Sequence, residues 1–351
     1  MTFSDRGKEV LKIVVEGYIE TGEPVGSRTV AKRCSLNLSP ATIRNVMADL
    51  EEMGYLFQPH VSAGRIPTEK GLRFFIDVLL EPEELSLLQR AQIERLYEEP
   101  GGDLAALMKR ACRLVAAFSH YPGLVMLPPL RETVFKRIEF VRLRPKQILV
   151  LFVSSSGMVQ TRVVELDEDL PEGELRRMAE YLNEMLTGLP LREVRERLMA
   201  EVERERKAYD DLRARALKIG GHSLMLVEGD RKVYIEGQTQ ILEEPEFSSD
   251  ARRMRQLLEA LDRKGRLLEI LDKAIKFKEE GVQVLIGSES RIEGLEMCSL
   301  VLSPYGLQDH ALGILGVIGP LRMAYSRVVP LVDYTAKVLS HVIETYWRGA
   351  L

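Results

Sequence analysis

A polar helix face between Ser39 and Asn45 carries the side chains best suited to chemical recognition, in this case the reading of DNA bases. Arg44 has a guanidinium group that pairs with guanine, and Asn45 has a carboxamide that pairs with adenine. Ser39 and Pro40 predict a helix start, because the serine hydroxyl can accept a free backbone N–H and proline has none to leave unpaired. A helix in the major groove contacts bases mainly with its N-terminal residues. The pattern therefore predicts a DNA-reading helix that exposes Thr42, Arg44 and Asn45.

A short hairpin should follow that helix after Gly54. Residues 55–58 have the aromatic and apolar content of one strand, residues 65–67 form a second, and turn-forming residues lie between them. His60 and Arg65 would then lie on the flanks of the hairpin. The predicted order of helix, turn, helix, hairpin and helix is that of a winged helix-turn-helix.

Two helices, at 4–21 and 27–34, precede the reading helix and should support it. Arg28, Lys32 and Arg33 lie on the outer side of the second, where they could contact phosphates and so position the protein without reading sequence. For Lys32 alone, a solvated basic face is an equal alternative. From Arg28 to Arg73 there are seven Lys or Arg and four Asp or Glu, in a chain of net charge −4. So small a local excess predicts modest affinity for one copy, and tight binding would need two.

Composition predicts an ordinary globular chain of two or three domains, with 351 residues that are 45% hydrophobic and 29% charged. No apolar run approaches the roughly 18 residues that span a bilayer, and the first residues lack a signal-peptide core. These features predict a cytoplasmic protein that does not enter the membrane. Cys34, Cys112 and Cys298 lie far apart in apolar surroundings, so reduced core thiols are expected.

The candidate sites for catalysis, metals and cofactors are weak. Gly313, Gly316 and Gly319 lack both the dinucleotide fingerprint and the phosphate-loop lysine, and close backbone packing within a strand explains them better. The turn at 154–157 lacks the flanking glycines of a nucleophile elbow, and the acid pair at 210–211 lies in a charged helix. The histidines show no metal-ligand spacing: His60, His120, His222, His310 and His341. The sequence therefore predicts no enzymatic activity, no metal and no cofactor.

The remainder of the chain predicts a mixed sheet that is interrupted by an inserted helical segment. The polar helices at 167–235 suit a peripheral subdomain or a contact with another subunit, and a solvated helix pair is an even alternative. A final helix at 326–347 has two apolar stripes, one to cover the sheet and one left over for a partner. The residues at 155–157 should turn the second strand into the third. Strand-like runs occur at 134–143, 147–154, 158–166, 282–287, 298–303 and 311–319.

Several motifs resemble one known family. They are GSRTV at 26–30, SPATIRNVMADLEEMGYLFQPHVSAGRIPTEKG at 39–71, GSE at 287–289, SLV at 299–301 and VIGPLRMAY at 317–325. Together they are similar to the heat-inducible transcription repressor family, the HrcA-type bacterial repressors of chaperone operons. The resemblance covers both ends of the chain and is most specific around the predicted hairpin.

The resemblance implies an α/β multidomain (α+β) fold with a winged helix-turn-helix domain at 1–80 and a connector helix at 81–102. A GAF-like domain, a sheet with helices on one side, would be split between 103–166 and 236–351 by a mostly helical dimerisation subdomain at 167–235. The implied function is repression of heat-shock and chaperone operons through an inverted-repeat, double-stranded DNA operator bound by a homodimer and kept active by the GroE chaperonin. The candidate DNA-binding residues are Arg28, Ser39, Thr42, Arg44, Asn45, His60, Ser62 and Arg65.

Two alternatives remain open from sequence. The GAF-like domain could bind a small molecule and gate DNA binding, or the winged helix could serve protein assembly beside a domain that processes a small molecule. A protein-docking helix would usually expose apolar anchors, whereas residues 39–45 expose polar ones. That difference favours DNA over a protein partner.

Overall fold

The protein is α+β, as predicted, and its described part contains three antiparallel sheets. The computed structural model describes residues 4–36, 38–97, 104–127, 134–155, 159–205, 215–217, 219–220, 232–262, 264–275, 281–307 and 310–348. Four features discussed above lie outside these ranges: the end of the connector at 98–102, the turn at 156–157, the acid pair at 210–211, and His222. Within the described residues, no helix is long and apolar enough to cross a membrane.

The N-terminal part has the predicted order of three helices, a hairpin and a fourth helix. Ser4 and Thr68 cap the first and fourth helices by accepting backbone N–H groups from Gly7 and Gly71. Gly22 ends the first helix with a φ of 71°, a left-handed conformation that favours glycine. The elements are α1 Asp5–Thr21, α2 Ser27–Arg33, α3 Pro40–Glu52, β1 Leu56–Phe57, β2 Ile66–Pro67 and α4 Glu69–Phe74, which continues as a π-helix over Phe75–Leu79.

Helix α3 is held by the apolar stripe that its spacing predicted. Ile43, Met47 and Leu50 are buried and join a core with Val10 and Val14 of α1. One face of α3 is therefore fixed against the supporting helices, and its other face is left to solvent.

The connector helix α5, Leu87–Glu94, and the long helices α6, Leu104–Ser119, and α12, Tyr325–Arg348, pack together. The second stripe of α12 comprises Leu331, Tyr334, Val338 and Val342, of which Tyr334 is half-buried and the other three are buried here. The expectation that this stripe is left over for a partner is therefore wrong. The physical reason is that α5 and α6 supply their own apolar side chains within the same chain.

The large sheet has five antiparallel strands in the order β7-β3-β10-β9-β8. Two of them, β3 and β7, were not predicted from the sequence. The strands are β3 Gly123–Met126, β7 Val233–Glu236, β8 Gln283–Ile286, β9 Cys298–Leu307 and β10 His310–Pro320.

Helices cover both faces of this sheet. On β3, Val125 contributes to the core with α6 and α12, while Leu124 and Met126 contribute to a second core with α10 and α11. The expectation of helices on one side only is therefore wrong, and the continuous apolar runs of β9 and β10 are the physical reason, since both of their faces need cover. The helices concerned are α9 Pro245–Ser248, α10 Ala251–Asp262 and α11 Lys264–Ile275.

The three glycines of β10 serve close packing, as predicted. A Cβ added at Gly313 would lie 2.3 Å from the Tyr305 hydroxyl oxygen, and one at Gly316 would lie 2.6 Å from a Leu302 methyl carbon. At Gly319 an added Cβ would lie 2.6 Å from the methyl carbon of Met323. Larger side chains at these positions would force neighbouring strands and helices apart.

A separate sheet corrects the expectation that all strand-like runs share one mixed sheet. Among the strands that the structure describes, β4 Phe135–Arg144, β5 Gln147–Ser154 and β6 Val159–Glu165 pair with one another, all antiparallel, and with no strand of the large sheet. Helix α7, Glu172–Leu186, packs across β4, and helix α8, Leu191–Glu205, follows it. These strands bury one face under α7, so α7 closes a small sheet-and-helix unit rather than lying on the large sheet.

The side chain of Asn183 ties α7 to β4 by two hydrogen bonds. The amide of Asn183 accepts a hydrogen bond from the Ile138 N–H at 2.8 Å and donates one to the Ile138 carbonyl at 3.0 Å.

The described cysteines are free and buried, as predicted for core thiols. Burial raises the pKa of the Cys112 and Cys298 thiols to about 12.

Candidate nucleic-acid interface

The N-terminus of α3 is organised by Ser39. Its side-chain oxygen accepts the Thr42 N–H at 3.1 Å and lies 2.9 Å from the Thr42 hydroxyl, and Pro40 occupies the first turn. The predicted cap is confirmed. Ser39, Arg44 and Asn45 are exposed and Thr42 is half-buried. The face therefore presents a guanidinium and a carboxamide at the helix end whose dipole favours anions.

The cations around this face divide into paired and free ones. Arg33 lies 2.8 Å from Glu20, and Arg65 lies 2.8 Å from Glu51. Lys70 donates to the Met53 carbonyl at 2.8 Å, and its ammonium lies 4.3 Å from the centre of the Tyr55 ring. Arg73 is bound to the C-terminal half of the chain.

Three exposed cations remain: Arg28, Lys32 and Arg44, for which the described part of the chain contains no ion pair. They lie on α2 and on the outer face of α3, the two helices of the predicted helix-turn-helix. Three free cations form a small basic surface, in keeping with the small local excess of positive charge in the sequence.

Arg65 does not extend from the hairpin as the sequence suggested. Its side chain is only 14% exposed, and its Nε lies 2.8 Å from a Glu51 carboxylate oxygen. Its backbone exchanges two hydrogen bonds of 2.9 Å with Val25, which attaches the hairpin to the loop between α1 and α2. A phosphate contact by Arg65 would have to compete with the Glu51 ion pair.

Sequence reasoning missed the residues that shape the hairpin loop. Gln58 donates hydrogen bonds of 3.0 Å to the carbonyls of Val61 and Ala63, so one side chain closes the loop. Glu51 accepts the Gln58 N–H at 3.2 Å and also pairs with Arg65, which joins α3 to the hairpin. Nothing in the local pattern marks these roles, because they depend on how the hairpin folds back on α3.

The loop itself projects into solvent. His60 and Ser62 are exposed, and Val61 between them is fully exposed. Gly64 packs so closely on the Val25 backbone that an added Cβ would lie 2.3 Å from the Val25 carbonyl oxygen. The base of the loop is therefore fixed, while its tip is free to contact a ligand beside α3.

The described residues contain no group of three His, Cys, Asp or Glu side chains that could hold a metal ion. The geometry around α3 and the hairpin is that of a polar recognition surface carried on a small helical core.

Comparison with known proteins gives a consistent result. Residues 105–329 match the family model described as the HrcA protein C terminal domain. A heat-inducible transcription repressor HrcA from Geobacter sulfurreducens is 47% identical over 97% of this chain and 98% of the relative. The corresponding repressor from Syntrophobacter fumaroxidans is 46% identical over 97% of each chain.

A solved structure shares the overall fold. It is a crystal structure of a hypothetical protein that superimposes with a TM-score of 0.66 at 26% identity, covering 98% of this chain and all of the other. With the family-model match and nearly full-length relatives, this shows that the chain belongs to the HrcA family of heat-inducible transcription repressors.

Proposed function

We propose that this transcriptional repressor binds an inverted-repeat operator of chaperone operons as a homodimer, through a winged helix-turn-helix formed by residues 1–80. The exposed face of α3 supports this most directly, because Arg44 and Asn45 are free to reach base edges while Ile43 and Met47 fix the helix. Arg28 and Lys32 would contact phosphates, and His60 and Ser62 would contact DNA from the hairpin loop. Arg65 and Ser39 would act mainly by shaping the hairpin and the helix start.

The open face of the three-stranded sheet supports a homodimer. Val141, Leu149 and Val163 lie opposite one another on neighbouring strands, on the face away from α7. Val141 is 43% exposed and Val163 is 51% exposed, and Leu143 and Val159 are similarly exposed. Contiguous apolar surface of this kind usually marks an interaction site. A second copy of the same face would bury it and pair the two subunits around a two-fold axis.

The domain division follows from these contacts. We place the dimerisation subdomain at about 134–231 rather than at 167–235, because the three-stranded sheet packs with α7. The C-terminal domain then comprises the five-stranded sheet with α6, α10, α11 and α12, and residues 81–102 connect it to the DNA-binding domain.

The GroE chaperonin is the proposed regulator. Leu315 of β10 pairs with Val125 of β3, so the large sheet forms only after distant parts of the chain meet. Such topology slows folding and exposes apolar intermediates, which a chaperonin binds. If only a fraction of chains is competent, the apparent operator affinity falls by that fraction.

A gel-shift assay with a chaperone-operon promoter tests the DNA-binding proposal. Arg44→Ala or Asn45→Ala should each cost about 1–3 kcal/mol of binding free energy and relax preference at particular base pairs. Arg28→Ala should weaken binding to all sequences and lower the salt dependence by about one counterion. Glu52→Ala, at the far exposed end of α3, is the matched control and should bind normally. Normal binding by the Arg44 and Asn45 variants would contradict the proposal.

Titration with excess operator measures the active fraction and tests the chaperonin. Adding chaperonin and ATP should raise that fraction without changing the affinity of the active dimers. An active fraction that is the same with and without chaperonin would contradict this part of the proposal.

A ligand-gated sensor remains the second candidate because of a groove of about 560 Å³ between α4 and the edge strand β8. Its lining combines the apolar side chains of Ile76, Leu80 and Val329 with the charged side chains of Arg73 and Asp77, so it suits a small ligand that has both apolar and polar groups. A small molecule that alone controls operator binding, without chaperonin, would favour this candidate.

A further inference from the structure

The DNA-binding unit is attached to the five-stranded sheet by a specific polar contact, which we call the docking contact. It joins Glu69 and Arg73 of α4 to Ser288 and Glu289, in the 3-10 turn that follows β8. Glu69 accepts the Ser288 N–H at 3.1 Å and the Ser288 hydroxyl at 2.5 Å. Arg73 donates its Nε to one Glu289 oxygen at 3.1 Å and a second nitrogen to the other oxygen. Two-point pairing of this kind fixes direction as well as distance.

The sheet side of the contact is built into an edge strand. Glu289 also accepts the Ile286 N–H at 2.9 Å, and Arg73 also donates to the Val284 carbonyl. Because β8 is the last strand of the sheet, its outer edge would otherwise present unpaired backbone groups. The contact therefore occupies this edge and sets the position of α4 relative to the sheet backbone.

Gly287 permits the close approach. Its φ of 51° is left-handed, and an added Cβ would lie 2.1 Å from a Glu69 carboxylate oxygen. All three residues of the GSE motif at 287–289 thus take part: the glycine makes room, the serine donates to Glu69, and the glutamate binds Arg73. Nothing in the proposed reading of DNA bases requires this motif, so the contact supplies a separate reason for it.

A second contact limits rotation of the DNA-binding unit about the docking contact. Gly22, at the end of α1, lies against the side chain of Arg322, where an added Cβ would be 3.4 Å from the Arg322 Nε. Arg322 is held in turn by Glu244 at 2.9 Å and by Glu246. Since α1 and α4 share one core, two separated attachment points hold the whole DNA-binding unit.

We propose that the docking contact sets the direction of each reading helix and thereby the half-site spacing that the dimer recognises. Glu69, Arg73 and Glu289 are positioning residues in this scheme, which rests on the proposed operator binding. Dimeric helix-turn-helix proteins bind half-sites about 34 Å apart or multiples of it. DNA-binding units that lacked the docking contact would still bind single half-sites. They would gain less affinity from binding two half-sites at once.

The test uses a double variant that carries both Glu69→Gln and Glu289→Gln. Its matched control is Asp77→Asn. Asp77 lies 3.2 Å from Arg73 but belongs to the same unit, so its loss removes an Arg73 partner without crossing the domain boundary. Operators should include the natural inverted repeat, versions with about 5 added base pairs between the half-sites, and a single half-site. About 5 base pairs turn one half-site to the opposite side of the duplex.

The wild-type protein and Asp77→Asn should bind the natural repeat well and the lengthened repeat poorly. The double variant should lose roughly tenfold in affinity for the natural repeat, show little spacing preference, and bind a single half-site as the wild type does. Retention of the wild-type spacing preference would overturn the proposal. Tighter binding by the double variant would also overturn it, because the docked orientation would then oppose operator binding.

A measurement without DNA separates this proposal from the proposed function. Labels on Val61→Cys and Met297→Cys, both exposed positions on opposite sides of the contact, report the distance between the two units. The distance distribution should be narrow in the wild type and Asp77→Asn and broad in the double variant. A narrow distribution in the double variant would overturn the docking role even if the wild type failed to bind DNA. If the double variant does not fold, Ser288→Ala provides a milder test with the same readouts.

Discussion

The five-stranded and three-stranded sheets have similarly apolar strands but differ in what covers them. In the large sheet, Leu302 and Val301 on β9 point to different helical layers and are both buried. In the small sheet, Phe152 on β5 is buried under α7, while Leu151 beside it is only half-buried on the open face. Each sheet therefore has apolar side chains on both faces. Among the residues that the structure describes, helices cover both faces of the large sheet but only one face of the small sheet. The comparison suggests that the small sheet completes its core in a second subunit.

Thiol chemistry should give the largest difference between the two sheets. Cys298 lies within the large sheet, where burial raises its thiol pKa from 9.0 to about 12. At pH 8 its thiolate fraction should be about a thousandfold lower than that of an ordinary thiol, and it should increase as the pH rises toward 12. A Val163→Cys variant on the open face should be alkylated at an ordinary rate. Mass spectrometry of alkylation against pH measures both.

Cys112, whose thiol pKa is also raised to about 12 by burial, serves as the internal control. Equal alkylation rates at positions 163 and 298 would show that the two sheets are covered alike. Slower labelling of position 163 at higher protein concentration would indicate that a partner subunit covers it.

Truncation of matched leucines should give the next largest effect. Leu302→Ala should lower the free energy of unfolding by about 2–5 kcal/mol, because it leaves a cavity between two filled layers. Leu151→Ala should cost less than about 1 kcal/mol in dilute protein, since much of that side chain is already in water. Urea unfolding at low and high protein concentration distinguishes the two. A loss at Leu151 as large as that at Leu302 in dilute protein would contradict the open-face description.

A charge on the open face should have the smallest of the three effects on the single chain and act mainly on assembly. Val163→Asp should raise the dissociation constant of the dimer by at least about tenfold, or about 1.4 kcal/mol, without unfolding the subunit. Sedimentation equilibrium measures this. Glu180→Lys, at an exposed position on α7, is the control. If the control dissociates and Val163→Asp does not, the subunits pair through the helix side of this unit instead.

Local patterns predicted the N-terminal part well. Ser39 and Thr68 mark helix starts by hydrogen bonds within three residues, Pro40 marks one by lacking a backbone N–H, and Gly22 marks an end by its own backbone conformation. Such signals act over a few residues, so the sequence contains them directly. The apolar stripe of α3 was predictable for the same reason.

The candidate site was predictable in part. Exposure of Arg44 and Asn45 follows from helical periodicity, but the pairing of Arg65 with Glu51 depends on the hairpin folding back on α3. The division of the cations into paired and free ones likewise required the positions of distant carboxylates.

By itself, the sequence determined the helices and most strands, the family, and the exposed polar face of α3, because each depends on short-range periodicity, capping or a distinctive run of residues. Only the tertiary structure decided what each apolar stripe packs against. The second stripe of α12 packs against α5 and α6, and one face of the small sheet remains exposed. It alone brought Glu69 and Arg73 to the GSE motif at 287–289. An apolar stripe specifies that it will be covered without specifying by which partner. That choice depends on contacts between residues far apart in the chain.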